Sequence, residues 1–378
     1  MEQKFETIIV GAGPGGLIAG RYLKNALILD AKKEIGRPIQ CAEGLIKRAL
    51  EKEGIKPDPV WISAVIDNAQ FVMPNGKIIT LRGKEQGYIL DRTGFEKFLA
   101  SQILAEIRLE KRVVDIERKN DFWELTLLDG EKLQAKYLIG ADGPASIVRR
   151  KIFKEEIRFL PCLEYLMKTE KEVDVSTLKM YFDKEKFPEG YAWIFPKSKN
   201  YANIGLGTSR DLKEALADFM QNTVKKELGS CEFLENKSGI VPLGGAKMKL
   251  FKGNAFLIGD AGALADPISG GGIANAMISA RVAAELILSG KAALYEQKIK
   301  TMRFFSKNLL SAQKIIYSLD NRVLNEIGEV LGGRNLNDFY LKSFSTIFDF
   351  LQKPNLMRNI IKFLKLLFYY YKYTHAKS

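Results

Sequence analysis

The chain has 378 residues, with 58 Lys and Arg against 45 Asp and Glu, for a formal charge of +13. Apolar residues make up 46%, enough for one large or two ordinary domains to bury a core, so wholesale disorder is excluded. The single histidine, His375, argues against a Ser-His-Asp hydrolase and a His-rich metal site, and the widely separated Cys41, Cys162 and Cys231 exclude zinc ribbons and disulfide frameworks.

This cysteine usage reads as a reduced, intracellular protein, expected in the cytoplasm and without a metal. The N-terminus runs straight into an apolar strand without the layout of a secretory leader, and no apolar run approaches the ~18–20 residues that span a bilayer. Positive charge is uneven: residues 291–378 hold 15 Lys and Arg against 6 Asp and Glu. That bias suits an acidic surface, either phospholipid headgroups or nucleic acid, or else a solvated face in a protein from a warm habitat.

In chain order, FETIIV (5–10) predicts a strand, LIAGRYLKN a helix and ALILD (26–30) a second strand, together one right-handed βαβ unit. The turn reads Gly11-Ala12-Gly13-Pro14-Gly15-Gly16. Its glycines allow a tight turn and close approach of backbone to a pyrophosphate, and the helix start offers free N–H groups to the phosphates. Asp30 closes the second strand 19 residues after Gly11, where its carboxylate can accept hydrogen bonds from a ribose. NAD and FAD share this fingerprint.

Two later segments bear on the choice between them. YLIGADG (137–143) is a strand running into Ala-Asp-Gly, with Ser146, Arg149 and Arg150 following. AFLIGDA (255–261) is another strand, ending in Gly259-Asp260, and a glycine-dense turn over 266–273 leads into an alanine-rich helix. A second nucleotide contact so far downstream fits a chain that leaves the nucleotide fold, builds a substrate layer and returns to close over a long dinucleotide.

These three segments resemble the FAD-binding signatures of the flavoprotein superfamily that includes p-hydroxybenzoate hydroxylase. The resemblance implies that Asp260 contacts the ribityl and pyrophosphate region. It implies that Gly272 and Ile273 bring backbone N–H groups and a helix start to the pyrimidine end of the flavin. Arg92, in YILDRTGFEKFLA, looks like the family's arginine that opens a helix beneath the flavin, where the residues alone read as a surface helix start. The cofactor set implied by the resemblance also includes Val113.

Two further motifs resemble those of the geranylgeranyl reductase family, of the archaeal digeranylgeranylglycerophospholipid reductase type. GRPIQCAEGL (36–45) is similar to that family's cysteine loop, which implies that Cys41, Ala42 and Gly44 lie beside the isoalloxazine. Pro188-Glu-Gly-Tyr191-Ala-Trp193-Ile-Phe195-Pro196 matches the family's P-x-x-Y-x-W-x-F-P pattern at every specified position. By period alone, Tyr191, Trp193 and Phe195 are one face of a strand and ordinary core; the resemblance makes them the wall of a long apolar, substrate-binding slot. Cys162 and Cys231 read as core residues.

With no metal triad and no histidine base, the hard chemistry belongs to the cofactor. The implied function is an FAD-dependent oxidoreductase that saturates the isolated C=C bonds of geranylgeranyl chains, with Cys41 or Tyr191 as a proton relay. Its partners would be an isoprenoid lipid and an external electron donor (ferredoxin, coenzyme F420 or NAD(P)H). Three rivals stay open: a flavin monooxygenase or halogenase, a membrane-associated electron-transfer flavoprotein, and a basic nucleic-acid module. The last has no accompanying motif, so no nucleic-acid partner is expected.

The expected fold is α/β: a Rossmann-like FAD domain from residues 1–60, 89–150 and 251–290, an inserted antiparallel-sheet substrate domain from 61–88 and 151–250, and a helical C-terminal region over 291–378. Within the last, 355–373 predicts a helix that sets Arg358, Lys362, Lys365 and Lys372 along one side. Such a helix suits peripheral contact with the inner face of the cell membrane, or packing on the core.

Overall fold

The computed structural model describes residues 3–243, 248–302, 305, 307–336, 349–350, 352–359, 361–362 and 365. Its strands, β1–β16 in chain order, form two eight-stranded sheets. The first holds β1 (Gln3–Val10), β2 (Ala26–Leu29), β6 (Glu106–Arg108), β7 (Val113–Lys119), β8 (Phe122–Leu127), β9 (Lys132–Gly140), β15 (Phe251–Lys252) and β16 (Ala255–Leu257), with a spine ordered β15-β16-β9-β1-β2-β6. The pairs β16·β9, β9·β1, β1·β2 and β2·β6 are parallel. Residues buried on both faces of such a sheet must be apolar without interruption, which is why TIIV and ALIL read as solid runs.

Helices α1 (Pro14–Tyr22), α3 (Arg92–Ser101) and α6 (Ile273–Leu288) pack around this sheet, with the short helices α2 (Lys47–Lys52), α5 (Lys225–Leu228) and α7 (Tyr295–Lys300) falling between the longer ones in sequence, and Leu17, Ile18, Met277 and Ala280 join Ile8, Ile28 and Ile139 in one core. Pro14 starts α1 where a missing N–H costs nothing, and Asp91 caps α3 by accepting the Gly94 N–H at 3.2 Å.

The second sheet is ordered β14-β10-β13-β12-β11-β4-β5-β3, from β3 (Gly44–Ile46), β4 (Ile62–Val72), β5 (Ile78–Leu90), β10 (Arg158–Thr169), β11 (Thr177–Tyr181), β12 (Tyr191–Ser198), β13 (Tyr201–Gly207) and β14 (Cys231–Leu243). It comes from two stretches of chain, 44–90 and 158–243, which meet at the parallel pair β11·β4; the other pairs are antiparallel. Two details differ from the sequence expectation. Gly44–Ile46, assigned to the nucleotide fold, pairs with β5, because the cysteine loop hands the chain from one sheet to the other. The parallel pair interrupts an otherwise antiparallel sheet.

One face of the second sheet is covered by α4 (Leu212–Phe219), whose Leu216 and Phe219 pack on Ile194, Ile204 and Leu206. The opposite face, carrying the alternate residues, turns toward the first sheet's site. Farther along the chain, α8 (Lys307–Tyr317) and α9 (Asn321–Leu331) follow, and Val323, Leu324 and Leu331 of α9 cluster with Met73 and Ile79. The predicted 355–373 helix lies mostly outside the described residues; among those described, a short helix covers Pro354–Arg358. No helix among the described residues is long and apolar enough to cross a membrane.

Candidate active site

Three segments far apart in sequence converge at the C-terminal ends of β1, β9 and β16. Gly11, at φ +106°, donates its N–H to Leu29 O at 2.7 Å, and a Cβ there would stand 2.3 Å from Ala141 O. A Cβ on Gly16 would stand 1.8 Å from Gly11 O, and one on Gly15 would meet Ile258 Cδ1 and the Ala276 carbonyl at 3.2 and 3.3 Å. The glycine turn, the Ala141-Asp142 turn and the start of α6 therefore touch one another, with room only for hydrogen atoms. Gly13 is different: a Cβ there would meet nothing within 4 Å, so its side of the turn is open.

Asp30 is buried, its Oδ2 accepting the Ala12 N–H at 2.6 Å and its Oδ1 the Lys32 N–H at 2.8 Å. The Lys111 N–H donates to Asp30 O at 2.8 Å, which brings the chain past the end of β2 just before Val113 opens β7. Around the same cleft, three buried polar atoms have no partner: Asp142 Oδ1, Asp260 Oδ1 and Arg149 Nε. Leaving such atoms unpaired costs about 1–3 kcal/mol each. A polyhydroxylated, anionic dinucleotide laid across the open side of Gly13 brings donors and acceptors of the right kind, so the residues present fit a flavin dinucleotide. Asp260 Oδ1 lies 2.9 Å from the Cβ position of Gly272, the N-cap of α6, so the unpaired carboxylate and the helix start form one corner. Burial pushes the Asp260 carboxyl up to about 6, against the pull of Arg92.

Arg92 is the first residue of α3 and half-buried, so it is not the surface helix start of the simpler expectation. Its Nε donates to Glu96 Oε1 at 2.6 Å. Burial opposes its charge, but Glu96, Cys41 and Glu43 outweigh that and hold the guanidinium above its usual range. Cys41 faces the same charge: burial pushes its thiol up while Arg92 pulls it down, and its Sγ accepts the Glu43 N–H at 3.2 Å. Cys41, Arg92, Tyr191 and Asp260 all keep some accessible surface although burial is the largest influence on each. Groups in that condition line an internal recess rather than an outer surface.

The aromatic motif forms the wall. Tyr191, Trp193 and Phe195 alternate with Ala192 and Ile194 along β12, and their rings run in file with centroids 5.8 and 6.1 Å apart. The neighbouring strand β13 offers Asn203, Gly205 and Gly207 on that face, opposite Phe195, Trp193 and Tyr191 respectively. Gly205 is what allows the indole to lie flat: a Cβ there would come within 2.7 Å of both Trp193 Cζ2 and Leu163 O. Gly205→Ala is expected to destabilise the protein by about 1–3 kcal/mol and shift its tryptophan fluorescence; urea unfolding with an unchanged midpoint would contradict this. Tyr191 Oη donates to Ser269 O at 2.5 Å, joining the wall to the glycine-dense turn, and burial pushes its phenol up.

Across the sheet, Trp193, Gly205, Glu164 and Lys237 stand in one cross-strand row. The Trp193 indole N–H donates to Glu164 Oε2 at 2.7 Å, and Lys237 Nζ lies 3.4 Å from Glu164 Oε1 and 3.3 Å from Glu43 Oε2. Glu43 Oε2 also takes Lys197 Nζ at 2.9 Å and Asn203 Nδ2 at 2.6 Å. Burial disfavours the Glu43 charge, but Lys197, Lys237 and Asn203 outweigh it and hold the carboxyl below its usual range. This network also holds Glu43 in the left-handed region, at φ 70°.

Burial pushes the Glu164 carboxyl up from an ordinary 4.5 to about 7, despite Lys237 and the indole N–H. A carboxyl that keeps its proton longer folded than unfolded gives up stability as pH rises, here between about 4.5 and 7. Glu164→Gln is therefore expected to flatten that arm of the pH–stability curve; urea midpoints that keep the parent slope would contradict it.

The structure thus gathers Gly11, Gly13, Gly15, Gly16, Asp30, Asp260, Gly272 and Ile273 at one cleft, and sets Cys41, Ala42, Arg92 and the three aromatics around the adjoining recess. Gly44 opens β3, and Val113 stands apart at the Asp30 end. Cys162, read as core, packs beside Tyr191 and Trp193 on the recess side, while Cys231 packs with the α4 cluster. Sequence reasoning missed Glu43, Glu164, Lys197, Asn203 and Lys237. Only cross-strand register brings them together, although Glu43 does stand inside the cysteine loop.

Known proteins resemble this chain in sequence and in fold. A family model described as the geranylgeranyl reductase catalytic domain matches residues 159–241, the stretch from β10 to β14. The digeranylgeranylglycerophospholipid reductase of Methanocaldococcus jannaschii is 31% identical over 90% of this chain and 93% of its own. That of Methanosphaerula palustris is 35% identical over 76% of this chain and 77% of its own. Among solved structures, a geranylgeranyl bacteriochlorophyll reductase-like protein from Thermoplasma acidophilum superposes with a TM-score of 0.81 at 26% identity, covering 96% of this chain and 100% of that one. With relatives of that identity and coverage, the chain belongs to the geranylgeranyl reductase family, with the digeranylgeranylglycerophospholipid reductases.

Proposed function

We propose that this protein binds FAD and uses it to saturate the isolated C=C bonds of geranylgeranyl chains on glycerophospholipids. The observation that carries the proposal is the Tyr191–Ser269 hydrogen bond, through which the aromatic wall and the glycine-dense cofactor turn share one boundary. Bound and reduced, the flavin supplies a hydride.

The protein's part is position, electrostatics and a proton. Gly11, Gly13, Gly15 and Gly16 take the pyrophosphate on the open side of their turn, Asp30 takes the ribose, and Val113 contributes on the adenosine side. Asp260, whose Oδ1 has no protein partner, would accept hydrogen bonds from the ribityl hydroxyls. Gly272 and Ile273, at the start of α6, would turn the helix's positive end toward the flavin and favour negative charge on it. Cys41, Ala42, Gly44 and Arg92 would hold the flavin ring. Tyr191, Trp193 and Phe195 press an isoprenoid chain into register and exclude water, which matters because such an alkene offers no carbonyl to polarise. Of the two relay candidates, the Tyr191 hydroxyl proton is held by the Ser269 carbonyl, whereas the Cys41 thiol stays protonated near neutrality and has its proton to give.

Electrons come from an external donor, ferredoxin, coenzyme F420 or NAD(P)H, and the work is done at the inner face of the membrane that holds the lipid. The test is to incubate the dithionite-reduced protein with the unsaturated lipid and weigh the product. A gain of two mass units per saturated bond is expected; unaltered lipid alongside flavin that only air reoxidises would overturn the proposal.

A further inference from the structure

The file of rings continues past Tyr191. The Phe182 ring lies 5.5 Å from Tyr191, and two residues on stands Lys184. Lys184 Nζ sits 5.2 Å over the ring of Tyr317, the last residue of α8. Gln313 ties that helix to the cofactor turn, donating from Nε2 to Pro267 O at 2.7 Å and to Tyr317 Oη at 3.5 Å.

Lys184 forms no ion pair among the described residues, and the acid it feels, Glu189, is engaged by Arg158. Its neighbour Asp183 is occupied as well, with Oδ1 accepting from Asn321 Nδ2 at 2.8 Å and from the Glu185 and Lys186 N–H groups at 3.0 and 3.1 Å. With Glu189 taken by Arg158, the Lys184 ammonium at the end of the apolar row has no carboxylate within ion-pair distance among the described residues. Burial pushes the Lys184 ammonium down to about 8, with Glu189 offsetting only part of it. An ammonium that has lost water and gained only a ring face is under-satisfied, and an incoming anion repairs that.

We propose that Lys184, with Arg158 and Tyr317 beside it, holds the phosphate ester at the polar end of the isoprenoid substrate, with the Phe182 and Tyr191 rings leading from the phosphate to the cofactor turn and Trp193 and Phe195 continuing the row beyond it. The inference rests on the reading above that the substrate is an isoprenoid carried on a phosphate. The phosphate can belong to a glycerophospholipid headgroup or to a free prenyl diphosphate; both present anionic phosphate oxygens to a point-charge lysine.

The test compares three substrates: digeranylgeranylglycerophosphate, geranylgeranyl diphosphate and the uncharged digeranylgeranylglycerol. The parent enzyme should favour a phosphate-bearing substrate over the neutral one in kcat/KM. Lys184→Gln should shrink that preference about tenfold or more, chiefly through KM, and Lys184→Arg should keep most of it. Whichever phosphate-bearing substrate loses its advantage identifies the natural source. The proposal is overturned if the parent shows no preference, or if Lys184→Gln lowers all three substrates equally or none of them. A parent enzyme that saturates no prenyl chain at all would instead overturn the functional reading beneath it.

Discussion

Replacing Glu43 with alanine is expected to destabilise the protein by about 3–5 kcal/mol, because it strands two ammonium groups inside the fold. Lys197 and Lys237 both reach Glu43 Oε2, at 2.9 and 3.3 Å, and the Lys237 side chain is only 3% exposed. Lys197 keeps a 16% exposed side chain, but Lys237 is shut in between the strands and cannot turn to water without opening the sheet face. Lys197 retains the Leu90 carbonyl at 2.5 Å, and Lys237 retains Asn203 Oδ1 at 3.0 Å and Glu164 at 3.4 Å. Those remaining contacts hold the loss near the lower end of the range. Urea unfolding of the flavin-free variant measures it, and a loss below about 1 kcal/mol would mean that the buried charges solvate one another without Glu43. Its removal also releases the Asn203 amide and the left-handed turn at residue 43, so the cysteine loop should lose order before the sheet does.

Gly13→Ala makes the opposite kind of prediction: little change in the fold and a large loss of cofactor. A Cβ at Gly13 meets no protein atom within 4 Å, and its φ of −80° is open to any L-residue. The added methyl points into the space that the pyrophosphate needs for close approach to the turn. Stability of the flavin-free protein should stay within about 0.5 kcal/mol of the parent, while FAD affinity falls about a hundredfold, a loss of roughly 2.7 kcal/mol. Fluorescence titration with FAD checks the affinity and urea unfolding the stability. Unchanged affinity would place the phosphates elsewhere. Gly16→Ala is the contrasting control, because its Cβ at 1.8 Å from Gly11 O must deform the turn itself.

The parts of the fold legible in the sequence were those whose geometry is local. The Gly11–Gly16 turn, its flanking strands and the Gly259-Asp260 turn declare themselves because a tight turn or a solid apolar run needs particular residues at particular spacings. Tyr191, Trp193 and Phe195 were legible as one strand face by their period of two. What their rings rest on was not legible. Gly205 and Glu164 matter because they fall opposite Trp193 in register, and Glu43 meets Lys197 and Lys237 across 154 and 194 residues of chain. No local pattern encodes such a meeting, and each lysine taken alone reads as a solvated strand residue. The placement of Gly44–Ile46 in the second sheet escaped for a related reason: three residues carry too little pattern to choose between two sheets.

The central claim is that the apolar row and the flavin turn form a single reaction chamber, and anaerobic single turnover tests it most directly. The protein, loaded with FAD and fully reduced, is mixed with digeranylgeranylglycerophosphate in the absence of oxygen; flavin absorbance is followed and the lipid is weighed at intervals. The account predicts that one double bond is saturated for each flavin oxidised, with both processes sharing one rate. Flavin that stays reduced beside the lipid, and oxidises only when oxygen is admitted, would contradict it.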